Sequence, residues 1–189
     1  MLTDFLIDLV PFTHDELNDI LSHFEKEQVQ KNQILIKESQ ISTKLYFVEK
    51  GIGRSYYLKQ DGKEITQWFF DAGNFMSSAD SFFQQTPSLY YLEVLEDSIL
   101  YSITKGKMDV LLNKYHKMEK LARLISIQML TKIVHKVNAI QFQTARERYD
   151  YMLTEFPNIS HQVPLGHIAS YLGMTQETLS RIRKNELLK

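Results

Sequence analysis

The sequence contains no cysteine. That single absence excludes disulfides, thiolate metal sites, a cysteine nucleophile and a cysteine-ligated iron–sulfur cluster. No apolar run approaches the roughly 18–20 residues that span a bilayer. The opening Met1-Leu2-Thr3-Asp4-Phe5 lacks the basic and apolar regions of a signal peptide. The expectation is a cytoplasmic protein with no membrane partner. Phosphate-binding glycine patterns and nucleophile elbows are missing too, and Gly51-Ile52-Gly53 lacks the third glycine and following helix that would make it one. Between residues 30 and 103 there is no histidine, because His14, His23, His116, His135, His161 and His167 all lie outside. A metal-dependent barrel enzyme would lack its usual ligands there. No catalytic residue, metal or cofactor is assigned, and an enzyme is not expected.

What is present is core material and a split of charge. With 43% hydrophobic and 12% aromatic residues, the chain can build a packed interior. Residues 1–103 hold 8 basic and 16 acidic residues, whereas 104–189 hold 14 basic and 7 acidic. A basic half suits a polyanion such as double-stranded DNA, although helical segments are often mildly basic.

Periodicity divides the chain further. Thr13 followed by Glu16 has capping-box spacing and predicts a helix from Asp15 to Phe24. Short runs rich in Ile, Val, Tyr and Phe at 33–37, 44–49, 53–59, 64–70, 90–95 and 98–104 read as strands. Turn residues separate them, and Asp61-Gly62 is a hairpin signal. From Lys105 the period becomes helical. A short helix over 105–114 precedes a long one over 117–142, on which Met118, Leu121, Ile125, Met129, Ile133, Val137 and Ile140 form one apolar stripe. Leu124, Ile127, Leu130 and Val134 widen it. So much apolar surface predicts two buried faces, one on the β region and one on a second copy of the chain; the alternative is a single internal core helix. A further helix over 145–154 stops at Phe156-Pro157-Asn158.

Residues 165–184 meet the demands of a helix-turn-helix. Ala169 supplies the small residue where two helices approach, and Gly173 the turn position that tolerates positive φ. Ile168, Leu172, Met174, Leu179 and Ile182 supply the shared core, and Thr175 an N-cap for the second helix. The DNA-facing residues are then Thr175, Gln176, Glu177, Ser180, Arg181, Arg183 and Lys184. Arg181 suits bidentate contact with guanine, Glu177 a cytosine amino group and Gln176 adenine. Arg183, Lys184 and Thr175 suit phosphates.

Taken together, the short-stranded β region, the long helix and the terminal helix pair resemble the Crp/Fnr family of bacterial transcription regulators along nearly the whole chain. Thr175-Gln176-Glu177-Thr178-Leu179-Ser180-Arg181-Ile182 is similar to that family's recognition-helix signature, with Glu177 and Arg181 at its base-reading positions. Gln176 departs from the Arg common there. Leu45-Tyr46-Phe47-Val48-Glu49-Lys50-Gly51 is similar to its β-domain signature. The resemblance implies a homodimer on a palindromic site with a cyclic-nucleotide-binding-type β-roll as sensor, and RNA polymerase as a further candidate partner. Members that bind cyclic nucleotides carry a Gly-Glu pair and an Arg-hydroxyl pair, for which Ser77-Ser78 and Ser88-Leu89 stand here. No Arg or Lys occurs from 64 to 101, so a buried cyclic phosphate would lack its cation, and cyclic AMP is not the expected effector. Ser77, Ser78, Asp80, Ser88 and Tyr90 are candidate groups for another small molecule or plain loop residues. Only Asn185-Glu186-Leu187-Leu188-Lys189 follow the recognition segment, too few for the β-hairpin wing of many relatives.

The expectation is therefore an α+β protein: an antiparallel β-roll of jelly-roll (double-stranded β-helix) type with flanking helices over 1–116, a dimerisation helix over 117–142, and a helix-turn-helix domain over 143–189. Its expected function is sequence-specific regulation of transcription. The alternative is a ligand-binding or protein-interaction module whose terminal helical hairpin is structural.

Overall fold

The computed structural model describes residues 1–186. In chain order the elements are α1 (Leu2–Leu9), α2 (His14–Ser22), β1 (Glu25–Val29), β2 (Ile34–Ile36), β3 (Lys44–Lys50), β4 (Gly53–Leu58), β5 (Glu64–Phe70), β6 (Phe75–Met76), α3 (Ala79–Gln84), β7 (Tyr91–Val94) and β8 (Ser98–Thr104). Helices follow: α4 (Lys105–Lys114), α5 (His116–Phe142), α6 (Ala145–Glu155), α7 (Ile159–Gln162), α8 (Leu165–Tyr171) and α9 (Gln176–Glu186). The strands form two sheets, ordered β1-β8-β3-β6 and β2-β7-β4-β5, in the antiparallel α+β arrangement expected.

The chain divides into two compact units, Met1–Ser55 with Phe69–Gln128, and Tyr56–Trp68 with Met129–Lys189. Neither is a continuous segment. The tip of the β4–β5 hairpin belongs with the helix-turn-helix, and α5 runs from one unit into the other.

In the first unit, helix ends are set by local chemistry. Thr13 accepts from the Glu16 N–H while the Glu16 carboxylate accepts from the Thr13 N–H, closing the expected capping box at α2. Leu2, Leu6, Val10 and Ile20 from the first two helices pack with Phe47, Ile103, Leu111, Met118 and Leu121 in one core. The rings of Phe5, Phe47 and Phe75 meet in pairs at 5.2–5.6 Å. The start of α5 is thereby fixed to the roll.

β1 escapes a reading by apolar pattern, since Glu25-Lys26-Glu27-Gln28 is polar. It forms because β8 offers it a full register, Glu25 opposite Ser102 through Val29 opposite Ser98. Glu27 bonds the Ser102 hydroxyl and the Lys44 ammonium, and Glu25 pairs with Lys107. A charged edge strand of this kind also resists pairing with another chain.

α5 does not carry a single stripe. Met118 and Leu121 are buried, whereas Ile127, Leu130, Ile133, Val134, Val137 and Ile140 are exposed, Leu130 by 61%. The helix thus uses one apolar patch on its own core and presents another outward.

In the second unit, Thr144 and Glu147 form a further capping box that opens α6. The chain leaves α6 at Phe156, beside Pro157. Met152, Phe156, Ile159, Val163, Ile168, Leu172 and Leu179 are buried and hold α6 to α9 together.

Candidate nucleic-acid interface

The helix pair forms as its residues require. Gly173 sits at φ +65 with open space around it, so its conformation rather than close contact demands glycine. The turn is closed by Gly173 N–H to the Ser170 carbonyl at 3.2 Å and Met174 N–H to the Ala169 carbonyl at 3.0 Å. Ile168, Ala169, Leu172 and Leu179 are buried, while Met174 and Ile182 are half-buried at the rim. Thr175 Oγ1 accepts from the Thr178 N–H at 3.2 Å and starts α9.

These contacts turn one face of α9 outward. Thr175, Gln176, Glu177, Ser180, Arg181 and Lys184 are exposed, and Arg183 is half-buried. All of the expected base-reading and phosphate-reading side chains except half-buried Arg183 are therefore exposed, beside a helix face that is core. The final three residues, 187–189, lie outside the described residues, so the expectation about a wing concerns a segment only partly described.

Two local features sharpen this surface. A Cβ at Gly166 would lie 2.8 Å from Gln176 Nε2, so the amide of Gln176 rests on the first helix of the pair. Gly166 thus supports this surface, and its signal in the sequence is a glycine inside a helix opening at Leu165. The Glu177 carboxyl is held below its ordinary pKa, first by its own backbone N–H, then by the Thr175 hydroxyl, with Arg181 and Lys63 adding favourable charge. It stays ionised and acceptor-only at neutral pH.

The candidate ligand residues of the roll come out differently. The Ser88 hydroxyl lies 2.8 Å from both Ser78 Oγ and the Tyr90 carbonyl, and accepts from the Tyr90 N–H at 3.0 Å. Ser78 Oγ donates to Asp80 at 3.0 Å, and Ser77 Oγ meets Ser42 Oγ at 3.3 Å. Ser81 Oγ, not singled out in the sequence, accepts from the Ser42 N–H and donates to the Thr86 carbonyl. The structure brings Ser77, Ser78, Asp80, Ser88 and Tyr90 into one neighbourhood, where they bond to one another and to adjoining backbone.

A cation does exist in the first unit, upstream of the stretch that lacks them. Arg54 is 2% exposed and pairs with Glu93 at 2.6 Å. Gly53 faces the roll interior, since a Cβ there would strike Met76. By strand alternation Arg54 faces the other way. Glu93 likewise alternates with fully buried Leu92 and Val94. Among the described residues, no cluster of His, Asp and Glu is placed to hold a metal ion, and no helix is long and apolar enough to cross a membrane.

Known proteins share parts of this geometry. Residues 26–115 match the cyclic nucleotide-binding domain family. The chain is 28% identical to the Anaerobic regulatory protein of Aggregatibacter actinomycetemcomitans, across 92% of this chain and 72% of that one. It is 27% identical to the Fumarate and nitrate reduction regulatory protein of Yersinia pestis, across 92% and 74%. Among solved structures, its fold is similar to FixK2 from Bradyrhizobium japonicum, with TM-score 0.74, 20% identity and coverage of 86% of this chain and 83% of that one. It is also similar to a crp/fnr-family transcriptional regulator from Eubacterium rectale, with TM-score 0.70, 16% identity and coverage of 94% and 84%.

Proposed function

From the premise that the chain is a Crp/Fnr-family relative carrying a cyclic nucleotide-binding domain, we propose that it is a sequence-specific transcription regulator gripping a palindromic operator as a homodimer. The observation that carries this reading is the exposed row Gln176, Glu177, Ser180 and Arg181 on α9, backed by buried Leu179. Such a row enters the major groove with its N-terminal residues against base edges. Arg181 reads guanine, Glu177 accepts from cytosine, and Gln176, braced on Gly166, reaches adenine. Thr175, Arg183 and Lys184 fix the register on phosphates.

The dimer reading rests on the distal part of α5. Ile127, Leu130, Val134 and Val137 are spaced three and four apart, and all are exposed. That is the repeat of a two-stranded coiled coil. Pairing two copies along it sets two recognition helices for half-sites about one helical turn apart, roughly 10–10.5 base pairs.

In the roll, the hydroxyls that would meet a cyclic phosphate already bond to one another, and Arg54 is engaged by Glu93. This supports a sensor domain that does not take cyclic AMP as effector. A mobility-shift titration with randomised duplexes tests the reading. Enrichment of a palindrome is expected; failure to enrich any sequence would favour a structural helical hairpin.

A further inference from the structure

The second unit holds a partly open cavity of about 30 Å3, lined by α5, α6, α8 and β5. Its charged walls are Lys132, Lys136, Arg148 and Glu155, and its aromatic walls include Trp68 and Tyr171. The charge is lopsided. Glu155 lies 3.7 Å from Lys132. Among the described residues, neither Lys136 nor Arg148 has a carboxylate within ion-pair distance.

Lys136 lies where an ammonium is costly. Its Nζ sits 3.8 Å from the Tyr171 ring centre and 5.2 Å from that of Trp68, and donates to the Gln67 carbonyl. Two ring faces and a carbonyl replace only part of an ammonium's hydration. Burial accordingly pulls the Lys136 pKa down to about 7. Arg148 has the complementary deficit. Its Nη1 reaches the Gln143 carbonyl at 3.5 Å, while its Nε is buried without a hydrogen-bond partner. A buried donor left in that state costs free energy.

One guest cures both deficits, by accepting from the Arg148 Nε and giving Lys136 a counter-charge. We propose that this cavity binds a single small monovalent anion, of halide or formate size, between Lys136 and Arg148. A volume of about 30 Å3 accommodates a guest of one to a few heavy atoms. The other titratable groups facing the space are Lys132, Glu155, Tyr151 and Tyr171. Glu155 is countered by Lys132, and burial raises the pKa of both phenols, so they remain neutral. His135, at an exposed position, stacks on Tyr151 with ring centres 6.0 Å apart.

The pH dependence has a definite sign. The folded-state pKa of Lys136 lies below the ordinary lysine value, so the folded chain binds fewer protons than the unfolded one between those values. Its contribution to stability therefore falls as pH drops through that window towards about 7, and an anion restores it. Because the anion favours protonated Lys136, apparent affinity should weaken about tenfold from about pH 6 to about pH 8.

The test uses the full chain. Chloride replaces gluconate at constant ionic strength while the Tm is read at both pH values. A saturable rise with chloride, tighter by about tenfold at the lower pH, is expected, with loss of the response in Arg148→Met. Superimposable chloride and gluconate curves, or an undiminished response in folded Arg148→Met, would overturn the proposal. Should that variant not fold, 35Cl NMR of the wild type decides: line broadening displaced stoichiometrically by formate upholds the site, and its absence refutes it.

Discussion

Two polar clusters in this chain treat their hydrogen-bonding capacity in opposite ways. Around α3 the hydroxyls of Ser42, Ser77, Ser78, Ser81 and Ser88 bond to one another and to nearby backbone, with Ser78 and Ser88 buried. On α9 the polar row from Gln176 to Arg181 is exposed, and its inward neighbour Leu179 is fully buried. Polar composition alone does not mark a site. The row on α9 is exposed, and that exposure is what the proposed reading of α9 rests on.

The sharpest way to break the contrast is to remove the pairing that would bring two α9 faces to one duplex. Leu130→Asp with Val134→Asp should turn the proposed dimer into a monomer by sedimentation. Operator affinity should fall by about 10²- to 10⁴-fold, the loss expected when two linked binding events become independent. Unchanged mass and affinity would show that α5 is not the seam.

Next in size is the buried cluster. Ser88→Ala removes the acceptor that the Tyr90 N–H uses and the partner of Ser78 Oγ. Urea unfolding should show a loss of about 1–3 kcal/mol, with little change in DNA binding by the folded protein. If stability is unaltered, the cluster is not the closed network described. On the exposed face, Ser180→Ala should shift unfolding by less than about 0.5 kcal/mol, and a larger loss would mean that Ser180 is structural. Smallest of all, cyclic AMP should leave the Tm unchanged. Saturable stabilisation, worth about 2.7 kcal/mol at a hundredfold excess over Kd, would reopen the roll as a nucleotide site.

Where pattern and structure agree, the determinant is local. The capping boxes at Thr13 and Thr144, the turn at Gly173 and the buried positions of α8 and α9 each depend on residues a few places apart. Thr144 with Glu147 has the same spacing as Thr13 with Glu16. Where they part, the determinant is distant. β1 is a strand because β8 lies beside it, and the short β6 pairs with β3 through Tyr46 opposite Met76. The Arg54–Glu93 pair joins residues 39 apart in sequence, which no local pattern announces. On α5, helical period revealed the apolar positions but not which patch the core would claim. The ligand candidates were legible as positions, whereas their bonds were not, because Ser42 comes from another segment and Ser78 meets Ser88 ten residues away.

The most direct test of the interface is a binding selection from randomised duplexes, run in parallel with wild type and Arg181→Ala. Both proteins should enrich the same palindrome, with one base position per half-site relaxed in the variant and specific affinity lower by about 1–3 kcal/mol. An unchanged motif at unchanged affinity would contradict the assignment of Arg181, and with it the reading of α9 as the helix that reads DNA.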